Sequence, residues 1–527
     1  MEQYLAMEHR KQRHIRLLLS SLVAFVAVQM QANAIHLPRL VVCISVDELR
    51  EDYLRHLEPM MQEGGFRRML RAGKIYPQVT FPFRPLERTG AIASIHSGVY
   101  PEAHGFSSAL SYNRGTHSIV HRLWDDAVQG VYTREQYSPR ALRVATFADR
   151  LKDASEGASL VYSVGVNAED AIIAGGAMPD GCFWLDSRIA SWASSSYYPK
   201  MPSYIDRYNR SDDGPNKRLI SGLMQWRPLR KYEDHPTCYA SWSRGFDYIY
   251  QGHEATRYKQ SPLAGEEVTR LALKLIEHGG YQQRKSPGLL ALSYSLASNS
   301  RGELSAEDVD RYLRLDQDLG RLFEALERHI GLEHCLLVLS GTGHVSYTKP
   351  SSSSRGKEFR ELSLGQTKAL VNMYLSASYG PGNWIDQIYG NRIYLNRQLI
   401  EEKKLDLATL QGKVAGLWRE IKGVGLAYAA SNIREGFGGN ALSLWISSVP
   451  RDDDADVYWD LLPGWNIKEQ TEHPELERRT SGAIRSPLLL FGAGVDPTTF
   501  DYPVRECSDI VRAVCWVLRI RPPNDVR

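Results

Sequence analysis

The chain has 527 residues, 43% of them hydrophobic, and a formal charge of +3. That length and apolar content allow a large buried core and exclude a wholly disordered chain. Lys and Arg are scattered and interleaved with acids, which excludes the basic surface of a nucleic-acid-binding protein.

The first predicted element is a targeting segment. Arg10, Lys11, Arg13 and Arg16 precede an apolar run from Leu17 to Val28, and Ala32-Asn33-Ala34 then offers an A-x-A cleavage pattern. The run is about 12 residues, short of the ~20 needed to span a bilayer. Residues 1–34 are therefore expected to be a cleaved signal peptide, with Met7 an alternative start, and the mature chain 35–527 to be periplasmic or secreted without a transmembrane anchor. No Cys follows the run, which argues against a lipid anchor. Removing the segment takes away four basic and two acidic residues and lowers the charge from +3 to +1.

Leu40 to Val46 is a continuous apolar run ending at Asp47, the pattern of a central strand covered on both faces. Asp52 to about Ala72 is amphipathic and ends near Gly73. A strand-plus-helix unit reads from Ala145 to Val166, and a helix from Glu266 to Gly279 precedes a strand from Leu289 to Tyr294. The clearest helix runs from Ala306 to Ile330: Ser305 and Asp308 suggest a capping box, Val309, Tyr312, Leu313, Leu319, Leu322, Phe323 and Leu326 form one stripe, and Gly331 stops it. Cys335 to Leu339 is another buried strand. This alternation predicts an α/β fold, a doubly wound, mostly parallel sheet with helices on both faces. Ser351 to Gly356 reads as a loop. Residues 359 to about 460 read as an inserted or appended smaller α+β lobe, with helices at 370–376 and 408–422 and a strand at 391–395. The chain returns through a strand from Pro487 to Gly492 and a final helix from about Ser508 to Leu518.

The six cysteines form no C-x-x-C pair, which excludes a zinc ribbon or dithiol redox motif. Cys43 and Cys335 read as small buried hydrophobes. Cys507 and Cys515 lie on one helix ~12 Å apart, too far to bridge. A Cys182–Cys238 disulfide stays open.

At this point the chain resembles the alkaline-phosphatase superfamily, and within it the PafA-like alkaline phosphatases and their nucleotide pyrophosphatase/phosphodiesterase relatives. The resemblance rests on Val46-Asp47-Glu48-Leu49-Arg50 with Asp52-Tyr53-Leu54, and on the stretch from Ala93 through Ser97-Gly98 to His104-Gly105. Trp184-Leu185-Asp186 through Ser195-Tyr197-Tyr198, Asn391 to Leu407, Asp456-Val457-Tyr458 and Pro463-Gly464-Trp465 extend it. It implies two zinc ions about 4 Å apart, held by Asp and His at strand ends, with a Thr or Ser attacking phosphorus between them.

Position by position, most of that site is missing. Asp47 matches the first Asp ligand. The nucleophile position falls on Arg88, with Thr89 one residue late. The Asp and His after the third strand fall on Ser298 and Gly302, the Asp-His pair of the next strand on Thr342 and Gly343, and the last His near Arg485. The phosphate-contacting Asn corresponds to Ala109, and the phosphate-binding Lys and Arg to Glu169 and Ala171. Arg88 is expected to pair with the orphaned Asp47.

Other metal sites read less well. His117 and His121 are four apart, but Ser118, Ile119 and Val120 favour a strand that would separate them by ~13 Å. His344 could recover a single ligand, but reads as a loop histidine; His104 reads as structural. Asp452, Asp454 and Asp456 alternate without the Gly and Glu of a calcium loop, and read as a solvated acidic turn. No G-x-S-x-G elbow, Walker A loop or dinucleotide fingerprint occurs.

The preferred reading is a non-catalytic superfamily member of the cell envelope that binds a partner or ligand near Asp47, Arg88, Thr89, Ser298 and Thr342, with no cofactor and no nucleic acid. One alternative is a phosphatase or phosphodiesterase, a phosphoric ester hydrolase rebuilt around Asp47 and Thr89 with zinc. The other is a structural subunit of an envelope or secretion assembly.

Overall fold

The structure, a computed structural model, describes residues 37–524 except 85, 231–244, 298–303, 346–359, 437–439, 463–464, 468–481 and 484–485. The expected leader, Cys238, the loop at 351–356, and Ser298, Gly302 and Arg485 lie outside the described residues.

The strand Leu40–Asp47 is buried at every position. Its side chains alternate between two cores, as a period of two requires: Leu40, Val42, Ile44 and Val46 enter one, Val41 and Cys43 the other. Each fully buried Leu, Val or Ile contributes about 1.5–3 kcal/mol of transfer free energy. The strand therefore holds the centre of the sheet from both faces.

It pairs in parallel with Gly288–Ser295 on one side and Cys335–Gly341 on the other. Val161–Gly165 and Gly181–Leu185 continue the parallel series. Antiparallel strands close both edges, Ser486–Gly492 then Lys74–Val79 on one side, Trp192–Ser195 then Gly130–Val131 on the other. Helices Glu51–Leu57, Phe66–Ala72, Pro262–His278 and Ala306–His329 feed the first core. Helices Arg88–Ser97, Phe147–Ala154 and Cys507–Leu518 feed the second.

The Ser305/Asp308 capping box is formed, and the helix it starts runs to His329. One stretch resolves into parts and the order within one unit needs correction. The Asp52–Ala72 stretch is two short helices, because Pro59 sits in a 3₁₀ turn and Gly64-Gly65 break the path. In the Ala145–Val166 unit the helix comes first and the strand second, and a Thr146/Asp149 capping box starts that helix. The Cys182 thiol is buried and free.

Within residues 360–467 the strands Ile385–Tyr389, Arg392–Leu395, Val457–Leu461 and Val424–Ala429 form an antiparallel four-stranded sheet with its own core. The acidic turn at its foot is solvated only in part: Asp452 and Asp454 remain accessible, whereas Asp456 is buried, contrary to the sequence reading. Asp456 is fully buried and accepts from Arg114, from the Leu395 amide at 2.7 Å and from Gln411 Nε2 at 2.9 Å. Asp454 pairs with Arg114 at 2.9 Å and Asp452 with Arg143 at 2.6 Å. These arginines reach over from the main domain, so the turn is a clasp. Among the described residues no helix is long and apolar enough to cross a membrane.

The two short helices after the central strand hang on one carboxylate. Asp316 accepts from the amides of Gln62 and Phe66, both at 2.7 Å, and a Cβ on Gly65 would come within 2.1 Å of its Oδ1. Asp316→Ala strands both amides in a buried place and is expected to cost about 2–4 kcal/mol. Urea unfolding measures this, and a loss within error of zero would contradict the role.

Candidate functional site

Asp47 ends the central strand, level with Ser295 on one neighbour and one residue past the Val46–Gly341 pairing on the other. Its carboxylate is therefore carried to the carboxyl end of the sheet and is only 4% exposed. A buried charge needs partners. Thr342 Oγ1 donates to Asp47 Oδ1 at 2.8 Å, and His344 Nδ1 lies 3.2 Å from the same oxygen. Burial opposes ionisation of Asp47, but His344, Arg88 and Thr342 hold its pKa below the usual carboxylate value. Burial also opposes charge on His344, and the Asp47 carboxylate overcomes it and raises that pKa.

Gly343, between those two partners, has φ +67°, and a Cβ there would meet the Phe81 ring at 2.5 Å. A side chain at this position, a metal-binding histidine included, would need a strained backbone and a displaced Phe81 ring. Glu48 is buried beside Asp47 with φ +57°, a strained value for a non-glycine residue. Asp47, Glu48 and His344 each present one ligand atom, all within 4.8 Å of one another. They form the metal-capable cluster of the described residues.

Arg88 is the first residue of the buried helix Arg88–Ser97, and Thr89 follows it, 4% exposed. The expected Arg88–Asp47 ion pair is not formed. Arg88 instead pairs with Glu169 and, at 3.1 Å, with Asp170. Both carboxylates lie in the first turn of the helix Ala168–Gly175, which packs against the Arg88 helix and leaves them within reach. The Asn167 amide, turned to satisfy its neighbours, accepts from Arg88 Nη1 at 2.9 Å. Burial works against the guanidinium charge, and Asp170, Glu169 and Asp47 outweigh it, so Arg88 stays charged.

A wider polar shell supports this pair. His121 Nε2 is 3.9 Å from Glu169 and its ring stacks on Tyr137 at 4.3 Å. Lys259 Nζ donates to Leu185 O at 2.8 Å, and burial lowers its pKa despite nearby Glu135, Glu169 and Asp186. His117 sits in a turn at φ +48° beside Tyr112 and Asp386, apart from His121. His104 is fully buried and bonds Ser94, as a structural histidine would.

Of the sequence-predicted positions, Asp47 and Thr342 are hydrogen-bonded to each other, and Arg88 and Glu169 form an ion pair. Ala171 is core, packed with Ile92 and Trp184. Ala109 is half-buried just before the hairpin strand Leu110–Asn113. His344, set aside as a loop residue, is a partner of Asp47. Glu48 and Asp170 were not singled out; the one signal for each was adjacency to a candidate acid.

Two outcomes follow. Arg88→Met leaves Glu169 and Asp170 buried without their cation and is expected to destabilise the fold by about 3–5 kcal/mol in urea unfolding. A loss below ~1 kcal/mol would contradict the ion pair. Burial and the Glu169 and Asp47 charges, against the pull of Arg88, place the Asp170 pKa at about 7, above its ordinary 3.8. The folded state then keeps a proton that the unfolded chain releases, so stability falls as pH rises through that window. Unfolding midpoints of the wild type should decline relative to Asp170→Asn between these two values. Parallel midpoints would contradict it.

The family model for type I phosphodiesterase / nucleotide pyrophosphatase matches residues 41–350. The chain is 25% identical to the alkaline phosphatase PafA of Elizabethkingia meningoseptica, covering 94% of each, and 24% identical to the alkaline phosphatase PhoV of Synechococcus elongatus, covering 92% of this chain and 91% of that one. The crystal structure of wild-type PafA superposes with a TM-score of 0.78 at 22% identity, over 93% of this chain and 98% of that one. The chain belongs to the type I phosphodiesterase / nucleotide pyrophosphatase family, in the PafA-like branch of the alkaline-phosphatase superfamily.

Proposed function

We propose that this protein is a non-hydrolytic member of its family that uses the strand-end site to bind rather than to cleave. The observation that carries the reading is Arg88. A guanidinium stands where the resemblance implies a nucleophile, paired with the Glu169 carboxylate and held against Asp170. It can neither attack phosphorus nor tolerate a dication beside it without repulsion.

The donor set argues likewise. A two-zinc centre needs two sets of ligands around a charge of 4+. Among the described residues Asp47, Glu48 and His344 are the donors drawn together, a set suited to one divalent cation, and a side chain at Gly343 would press on the Phe81 ring. Glu169 and Ala171 replace the cationic side chains that would clamp a phosphate. The ligand or partner is taken to be one of the cell envelope, on the strength of the leader read in residues 1–34.

A second reading has one observation in its favour. Three donors within 4.8 Å could hold a single ion, a hydrolase rebuilt on one metal with Thr89 as its nucleophile. Metal content after dialysis against zinc, with turnover of p-nitrophenyl phosphate and its diester, separates the two. Non-hydrolytic binding predicts no more than about one zinc per chain, reduced in His344→Ala. It also predicts turnover more than about a hundredfold below the ~1 s⁻¹ at the low end of enzymes. Two zinc per chain, or turnover abolished by Thr89→Ala, would overturn it.

A further inference from the structure

We propose a second binding site, at the opposite end of the sheet from Asp47, that takes a small organic oxyanion: a phosphate or carboxylate group carried on a flat, partly apolar body. The helices Ser203–Arg210 and Pro262–His278 enclose a cleft of about 470 Å³. The second helix ends at His278, and the chain then enters the strand Gly288–Ser295 at its amino end. Asp47 is level with the carboxyl end of that strand, roughly 23 Å away at about 3.3 Å per residue. The cleft is therefore separate from the family's strand-end site.

Its lining combines cations with rings. Arg207, Arg270, Lys274 and His278 supply the cations, and Tyr208 and Leu273 part of the apolar wall. Lys274 Nζ sits 4.6 Å from the centre of the Tyr208 ring, held there by cation–π attraction. Among the described residues neither Lys274 nor Arg207 has a carboxylate within 4.0 Å. Arg270 lies 3.5 Å from Glu267, but that carboxylate already takes Arg218 and the Tyr208 hydroxyl. Two exposed acids also line the cleft, Asp213 and Glu277, and Glu277 faces His278 at 3.5 Å. Three permanent cations against these two acids leave net positive charge.

The chemistry follows from these parts. Guanidinium forks suit the parallel oxygens of a phosphate or carboxylate, and the unpaired ammonium adds a point charge. The partly exposed Tyr204 and Leu273 suit a ring rather than a bare ion, which would leave that apolar wall wet.

The test is calorimetric titration of the full chain with phenylphosphonate, benzoate and inorganic phosphate. Phenylphosphonate or benzoate should saturate one site with a Kd below about 1 mM, and inorganic phosphate should bind about tenfold more weakly. Lys274→Glu and Arg207→Glu, both on accessible helix faces, should each weaken the organic anion by at least about tenfold with unfolding midpoints unchanged. Lys274→Arg should retain binding. No saturation by about 10 mM, or affinity untouched by both charge reversals, would overturn the site. Inorganic phosphate binding as tightly as phenylphosphonate would overturn the role of the apolar wall.

Discussion

A carboxylate at the end of a strand buried on both faces is the constraint around which this site is organised. The Leu40–Asp47 strand gains its place by filling two cores at once, and it carries Asp47 out of water with it. Desolvating a carboxylate without compensation costs several kcal/mol, so positive charge or hydrogen-bond donors must converge there. Here the donors are protein groups, Thr342 and His344, delivered by the chain just past the neighbouring parallel strand. In the same loop Gly343 lies against Phe81 and offers no donor.

The second half of the site obeys the same rule with the signs exchanged. Where the resemblance implies a neutral nucleophile and a phosphate-binding lysine, the chain places Arg88 and Glu169, and these pair with each other. The two departures are complementary: each would bury an uncompensated charge alone, and together they satisfy one another. A buried pair of this kind returns little net stability over apolar residues, because desolvation consumes most of the Coulombic gain. Its consequence is geometric. The guanidinium is held by Glu169, Asp170 and Asn167, which fixes its direction beside the strand ends.

Attachment of the residue 360–467 sheet follows a related logic. Asp456 sits at zero exposure and is tolerated because Arg114, Arg397, Gln411 and a backbone amide all converge on it. Arg114 belongs to the turn of the hairpin formed by Leu110–Asn113 and Ser118–His121, so charge pairing joins the apolar packing of Tyr112 on Tyr394 and Tyr458 in tying the sheet to the main domain there. His117 and His121, candidates for a metal pair by spacing, are spent on this hairpin and on Glu169 instead.

Apolar runs with strict boundaries were legible without coordinates. Leu40 to Val46, Cys335 to Leu339 and the stripe from Val309 to Leu326 determine buried strands and a helix by local periodicity, and the observed elements match them closely. The matches to Asp47, Arg88, Glu169 and Ala171 were likewise positions along a line. What each polar side chain does was decided only by folding. Arg88 finds Glu169 and Asp170 some eighty residues away, His344 reaches Asp47 across nearly three hundred, and Asp456 is buried by arginines from separate segments. Charge partners are chosen by proximity in space and by the cost of leaving any one of them dry and alone. Sequence periodicity carries no information about that choice.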